Sequence, residues 1–222
     1  MSVHAAFRDL LREHGAFTGR VDFPAASGEA LAGRLPQELV DFWRAVGLGV
    51  WRHGRFQFCD PLAWTGVTKL VFGGDSEFVA ERMHLYGYGG LSRLFFWSQD
   101  HNDGVEVDLV HLAATSLFER NRADHAFEAC LGTLAGLDHA QYGARDPRSG
   151  QDVMADLLRH HGGLRNGEVL GYVPALAFGG SPDFGNLKKL DANAHFAILA
   201  QIGEIELFRL KGGRRLVRVL GE

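Results

Sequence analysis

Apolar side chains recur along this chain with two different spacings, and the changes between them predict its elements. Phe7, Leu10 and Leu11 fall on one side of a helix running from Ser2 to about His14, which Gly15 stops. Residues 16–33 keep no period and read as irregular. Pro36 suits the first turn of a second helix, in which Leu39, Phe42, Trp43 and Val46 repeat at i, i+3, i+4 and i+7, and Gly47 ends it. Trp51 to Phe58 alternates around a turn glycine, as a hairpin or a pair of short strands does. A third helix is predicted over Ser76 to Tyr86, burying Phe78, Val79 and Met83. Leu91 to Trp97 and Val105 to Leu112 form the clearest hairpin, with Asp100-His101-Asn102-Asp103-Gly104 between them and Asp-Gly favouring a tight reversal.

Farther along, a helix over Ala123–Leu137 would bury Phe127, Cys130, Leu131 and Leu134, and another covers Asp152 to His161. Residues 138–150, DHAQYGARDPRSG, are polar and rich in turn formers, so they are the linker candidate. Gly167, Gly171, Gly179, Gly180 and Gly185 suggest tight turns between short elements, because only glycine takes positive φ without steric cost. Asp191 then caps a helix with Ala194, Phe196, Ile198 and Leu199 as its buried stripe, ended by Gly203. Glu204 to Leu220 closes the chain as a hairpin turning at Lys211-Gly212-Gly213. Helices and strands alternate without a βαβ period, so the expected fold is α+β. It divides into two mixed halves of helices and antiparallel hairpins, either packed as one unit or hinged at 138–150.

Composition places these elements in a folded globular protein: of 222 residues, 46% are apolar and 11% aromatic. No apolar run is long enough to span a membrane. The start, MSVHAAFRDLLREHG, has charged residues where a signal peptide needs an apolar stretch, so a cytoplasmic location is expected. Cys59 and Cys130 sit in aromatic or apolar neighbourhoods and read as buried reduced thiols. The net charge of −4 is uneven: residues 1–112 hold 14 acidic and 10 basic side chains, and residues 113–222 hold 13 of each. An acidic front half argues against DNA as the direct partner, since DNA affinity rests on cations, and it is compatible with a basic protein partner.

Candidate chemistry adds little. His160 and His161 are adjacent and diverge on a helix, and the Asp156–His160 pair lacks the further ligands of a metal motif. The Asp100–Gly104 run starts like a calcium loop, but its glycine falls at the fifth position and Leu112 occupies the twelfth. No G-x-S-x-G, phosphate loop or thiol-enzyme context is present. Arg209, Lys211, Arg214, Arg215 and Arg218 read as the solvated face of the last hairpin. No catalytic residue, metal ligand or cofactor is assigned.

Two groups of residues carry a family resemblance. Gly167-Glu168, Gly171, Pro174-Ala175-Leu176-Ala177, Gly179-Gly180, Asn186-Leu187 and the helix from His195-Phe196 to Leu199-Ala200-Gln201 resemble the C-terminal domain of type VI secretion immunity proteins. Leu35-Pro36, Phe42-Trp43, Gly47-Leu48-Gly49, Gly54, Phe58, Asp60-Pro61 and Phe95-Phe96-Trp97 resemble the GAD-like domain that accompanies it. The resemblance implies a GAD-like domain over 1–122 and an immunity domain over 123–222. It also implies stoichiometric neutralisation of a cognate DNase effector in the cytoplasm, with neither catalysis nor a cofactor. A monomer is the expected state. Residue chemistry places the contact on Tyr172, Asp183, Phe184 and Asn186, with Asp100 and Asp103 of the acidic turn. Two other readings stand beside it: a general protein-interaction or regulatory module without a toxin partner, and a hydrolase with an unrecognised carboxylate–histidine site.

Overall fold

The computed structural model describes residues 5–116, 144, 149–210 and 213–222. Helix α1 (Ala5–His14) buries Phe7 and Leu10 and stops at Gly15, as its spacing predicts. The stretch expected to be irregular instead holds β1 (Thr18–Val21) and α2 (Ala25–Ala30). Every residue of β1 is exposed, so no apolar alternation marks it, and it forms by pairing with β2 (Leu48–Trp51). Helix α3 (Gln37–Val46) buries Leu39, Val40, Phe42 and Trp43, and Pro36 caps it from just outside the first turn. Strand β3 (Phe56–Phe58) pairs antiparallel with β2.

The helix expected over Ser76–Tyr86 does not form. Those residues bend and then enter β4 (Met83–Gly89), because Met83 and Leu85 point to one face of the sheet and Tyr86 to the other. A bulge between Leu85 and Gly87 then returns Tyr88 to the Met83 face. A helix, α4 (Thr65–Phe72), lies just upstream; its sequence TGVTKLVF, rich in β-branched residues, does not announce one. Strands β5 (Arg93–Ser98) and β6 (Asp103–Asp108) make the expected hairpin, and β7 (Ala113–Ser116) follows.

The helix expected at Ala123–Leu137, with Cys130, and most of the 138–150 segment lie outside the described residues. Helix α5 (Met154–His160) starts where expected, with Asp152 accepting from the Met154 N–H at 2.9 Å. Strands β8 (Glu168–Tyr172) and β9 (Leu187–Asp191) form a two-stranded antiparallel sheet. Asp191 caps α6 (Ala192–Leu199), accepting from the Ala194 N–H at 2.8 Å. Its buried stripe is shifted from the expected one: Ala192, His195, Phe196 and Leu199 are inside, and Ala194 and Ile198 face out. Strands β10 (Glu206–Arg209) and β11 (Arg215–Val219) form the closing hairpin.

Among the described residues nine strands make one sheet in the order β1-β2-β3-β4-β5-β6-β7-β10-β11. Neighbours are antiparallel except β7 and β10, which run parallel with Glu206 opposite Ala113. The architecture is α+β, a large mixed sheet beside a small ribbon. Strand β5 shows how the layers arise, since Leu94 and Phe96 enter one core and Phe95 and Trp97 the other. One face carries α1, α3 and an aromatic cluster in which Phe7 stacks on Phe42 at 4.2 Å. The opposite face carries α4 and α6, with Trp64, Tyr88 and Phe196 in mutual contact.

Polar contacts tie the later elements to the sheet. Buried Gln57 donates to the Glu168 carbonyl at 2.7 Å and accepts from the Tyr88 hydroxyl at 2.9 Å and the Gly167 N–H at 3.1 Å. Buried Arg55 pairs with Asp152 at 2.7 Å. Asp75 receives both arms of Arg218 at 2.5 and 2.9 Å, and Arg209 pairs with Glu77. Arg209 and Arg218 are therefore latches for the closing hairpin, whereas the sequence places them on a solvated face. Arg214 stacks on the Phe208 ring instead, 3.9 Å from its centroid.

Candidate partner interface

The most exposed large apolar side chain among the described residues, Phe178, stands on the connection between β8 and β9. Val173–Asn186 leaves the ribbon as a loop whose base is closed by the Val173 N–H donating to Asn186 O at 3.0 Å. Its shape comes from short local contacts. The Gly185 N–H donates to Asp183 at 3.1 Å, the Asn186 N–H to Asp183 O at 2.9 Å, and the Asn186 amide to Ser181 O at 3.3 Å. Gly180 folds against the loop's start so closely that a Cβ there would lie 2.0 Å from the Pro174 carbonyl. A tied loop holds its side chains in place, and this one presents Phe178, 65% exposed, with Val173 also exposed at its base. Ile198 of α6 is a third large apolar side chain left open on this part of the chain.

Between this loop, α6 and the turn after β6 lies a shallow groove enclosing about 10 Å³, room for roughly one water molecule. Leu109, Val110 and Leu112 form one wall, Tyr172 and Ala175–Ala177 another, and His195, Leu199 and Ile202 complete it. Gly171 makes the His195 position feasible: a Cβ at 171 would stand 2.4 Å from Nε2 of that ring. This glycine serves close approach rather than positive φ, unlike Gly167 and Gly179, at φ +84° and +81°. Burial pushes the His195 pKa down, which keeps the ring neutral, and burial together with Asp183 pushes the Tyr172 phenol up.

The residues expected at the contact surface fall in two places. Tyr172 lines the groove, and Phe184 packs against the small core under the loop. Asp183 and Asn186 tie the loop as described. Asp100 lies in the turn before β6 and Asp103 at the start of that strand, its far end from the groove. Asp100 is paired with Arg82. Burial pushes the Asp103 carboxyl up to about 6, against a hydrogen bond from Gly104. Sequence reasoning missed Val173, Phe178, His195 and Ile198. A phenylalanine set among prolines and glycines was the available signal for Phe178, whereas nothing local marks His195.

Other candidate chemistry is engaged elsewhere. Asp156 pairs with Arg159, and the His160 and His161 rings meet edge to face at 5.1 Å. Among the described residues no group of three or more His, Cys, Asp or Glu side chains is placed to hold a metal ion. Burial, reinforced by Asp60, pushes the Cys59 thiol well up, and the thiol faces the Leu85 carbonyl at 3.5 Å. No described helix is long and apolar enough to cross a membrane.

Residues 142–203, which contain the loop, α6 and most of the groove, match the family model described as T6SS immunity protein Tdi1, C-terminal, and residues 5–111 match the model of the GAD-like domain. The chain carries a GAD-like domain followed by a type VI secretion immunity domain. This is the pair, and the order, that the resemblance implies. The Tdi1-type domain supports a role as a type VI secretion immunity protein, and it implies a toxin effector as protein partner. Among solved structures the chain is similar to the crystal structure of Atu4351 from Agrobacterium tumefaciens, at 25% identity and a TM-score of 0.91, over 97% of this chain and 98% of that one. No curated protein matches the sequence.

Proposed function

We propose that this protein is an immunity protein that binds a co-encoded type VI secreted nuclease, a DNase, in the cytoplasm and neutralises it by stoichiometric contact without catalysis. The observation that carries this reading is a coincidence of position. The segment matching the immunity domain, residues 142–203, holds a tied loop that exposes Val173 and Phe178, the latter the most exposed large apolar side chain among the described residues, and Ile198 is exposed on α6. Apolar side chains exposed on a loop of fixed shape suit a protein partner. A nuclease must carry cations to grip phosphates, and the acidic excess of residues 1–112 would speed its approach.

The proposed contact is made by Tyr172, Asp183, Phe184 and Asn186 with the exposed apolar residues around them. Asp100 and Asp103 form its outlying part at the far end of β6. The protein acts as a monomer, one copy per effector.

Mixing the purified effector with this protein tests the reading. Nuclease activity on duplex DNA is expected to fall linearly with added protein and vanish at an equimolar ratio. Unchanged activity at that ratio would overturn it and leave a general interaction module. Complete inactivation by a small fraction of an equivalent would point to an enzyme instead.

A further inference from the structure

Resting on the proposed function, we infer that His53, His160, His161, Arg165, Lys188 and Lys189 form a cationic surface that receives an acidic segment of the effector. Stretches far apart in the chain build it. Helix α5 ends in His160, and the rings of His160 and His161 meet at 5.1 Å. Strand β9 contributes Lys188 and Lys189, both exposed, and the Lys189 ammonium donates to the Gly163 carbonyl at 3.3 Å, just past the helix end. The turn between β2 and β3 brings His53, which backs onto the same glycine: a Cβ at 163 would stand 3.5 Å from the His53 Cβ. The Leu164 N–H donates to the His53 carbonyl at 2.7 Å and fixes that approach.

This turn holds an unfavourable backbone shape. Arg52 and His53 follow one another at φ +49° and +60°, a region that asparagine and glycine enter more easily. Side chains kept there at a steric cost suggest a use for them.

The nearby carboxylates do not cancel the charge. Asp156 is paired with Arg159, and Glu168 serves both Lys189, at 4.0 Å, and the Arg165 N–H, at 2.8 Å. The Lys188 ammonium and the Arg165 guanidinium have no ion-pair partner among the described residues. The crowding registers at His161, whose pKa is pushed down by burial first and then by His160, Lys189 and Lys188. Like charges held this close are relieved by carboxylates, so the complementary partner is acidic. DNA suits the chain less, because its net charge is −4 and residues 1–112 are acidic. A second copy would bring the same cations face to face. The surface also adjoins the tied loop, since Lys188 stands two residues after Asn186, where that loop closes.

Calorimetric titration of the co-encoded effector with the full chain tests this. Lys188→Glu is expected to weaken binding about tenfold and to make it less sensitive to salt. An acidic partner offsets the cations around the histidines and raises their pKa values in the complex, so binding takes up protons and tightens as pH falls. From about pH 7.5 to about 6 the gain should be about tenfold in wild type and much smaller when His160→Gln and His161→Gln are combined. The histidine pair decides the matter should Lys188→Glu fail to fold. Affinity unchanged in Lys188→Glu, or a pH dependence unaltered by the histidine changes, would overturn the inference and leave the immunity reading intact. Binding of a short DNA duplex that is lost in Lys188→Glu would overturn it in favour of nucleic acid. Absence of wild-type effector binding would overturn both readings.

Discussion

Phe42 and Phe178 are the same side chain in opposite circumstances, one fully buried and the other 65% exposed. Phe42 lies in a continuous aromatic layer: parallel to Phe7 at 4.2 Å and edge-on to Phe58 at 5.8 Å, under helices that a regular apolar stripe pins to the sheet. Phe178 stands on a loop held by backbone and side-chain hydrogen bonds within itself. The loop's shape does not depend on burying that ring. The N-terminal aromatic face spends its apolar area on the fold, and the immunity-domain loop keeps its own available. Stability and recognition are therefore expected to respond to different residues.

The largest test of that separation is Phe42→Ala. Removing a fully buried ring should cost about 3–5 kcal/mol in urea denaturation, enough to unfold a marginal domain. A loss below about 1 kcal/mol would mean that the aromatic layer is not the stabilising core.

Next in size is Asp75→Asn, which breaks the two-armed contact with Arg218 and should cost about 3 kcal/mol. Burial alone would raise the Asp75 carboxyl, but Arg218 and the N–H groups of Phe78 and Gly221 hold it down at about 2. Its folded value lies below the ~4 of a free carboxylate, so its stabilisation is full at neutral pH and fades as pH falls from ~4 towards 2. Thermal melts across that window should show the fade in wild type and a flatter profile in Asp75→Asn.

Gln57→Leu is expected to cost about 1–3 kcal/mol, because it leaves the Glu168 carbonyl without its donor and strips the Tyr88 hydroxyl and Gly167 N–H of an acceptor. Hydrogen exchange should quicken first across β8 and β9. Uniform quickening over β4 and β5 would show that the contact serves the sheet instead. The smallest expected effect on stability is that of Phe178→Ala, within about 0.5 kcal/mol. The same change should weaken effector binding measurably, which Phe42→Ala could do only by unfolding the protein.

The sequence was most legible where one local period ran undisturbed. Leu39, Phe42 and Trp43 revealed α3, and the unbroken apolar run Leu94–Trp97 with turn-forming residues downstream revealed the central hairpin. Reading failed where the period broke. Phe78, Val79 and Met83 suggested a helix, but the bulge at Tyr86–Gly87 belongs to a strand whose two faces enter different cores. The pairing of β7 with β10 was invisible because it joins Ala113 to Glu206, far apart in the chain and with no local signal. The α6 stripe was displaced because its inner face is chosen by Trp64 and Tyr88, which lie on other elements. For the candidate interface the glycines were noticed but only partly understood, since Gly171 and Gly180 are needed for close approach to His195 and Pro174. Which side chains such packing leaves exposed is a tertiary outcome that no window of sequence contains.

Hydrogen exchange on the effector complex tests the central claim most directly, by comparing protection in the free and bound chain. The account predicts that added protection concentrates on Val173–Asn186, α6 and the Leu109–Leu112 turn, with α1 and α3 unchanged. Protection confined to the aromatic face, with the loop exchanging as freely as before, would contradict it.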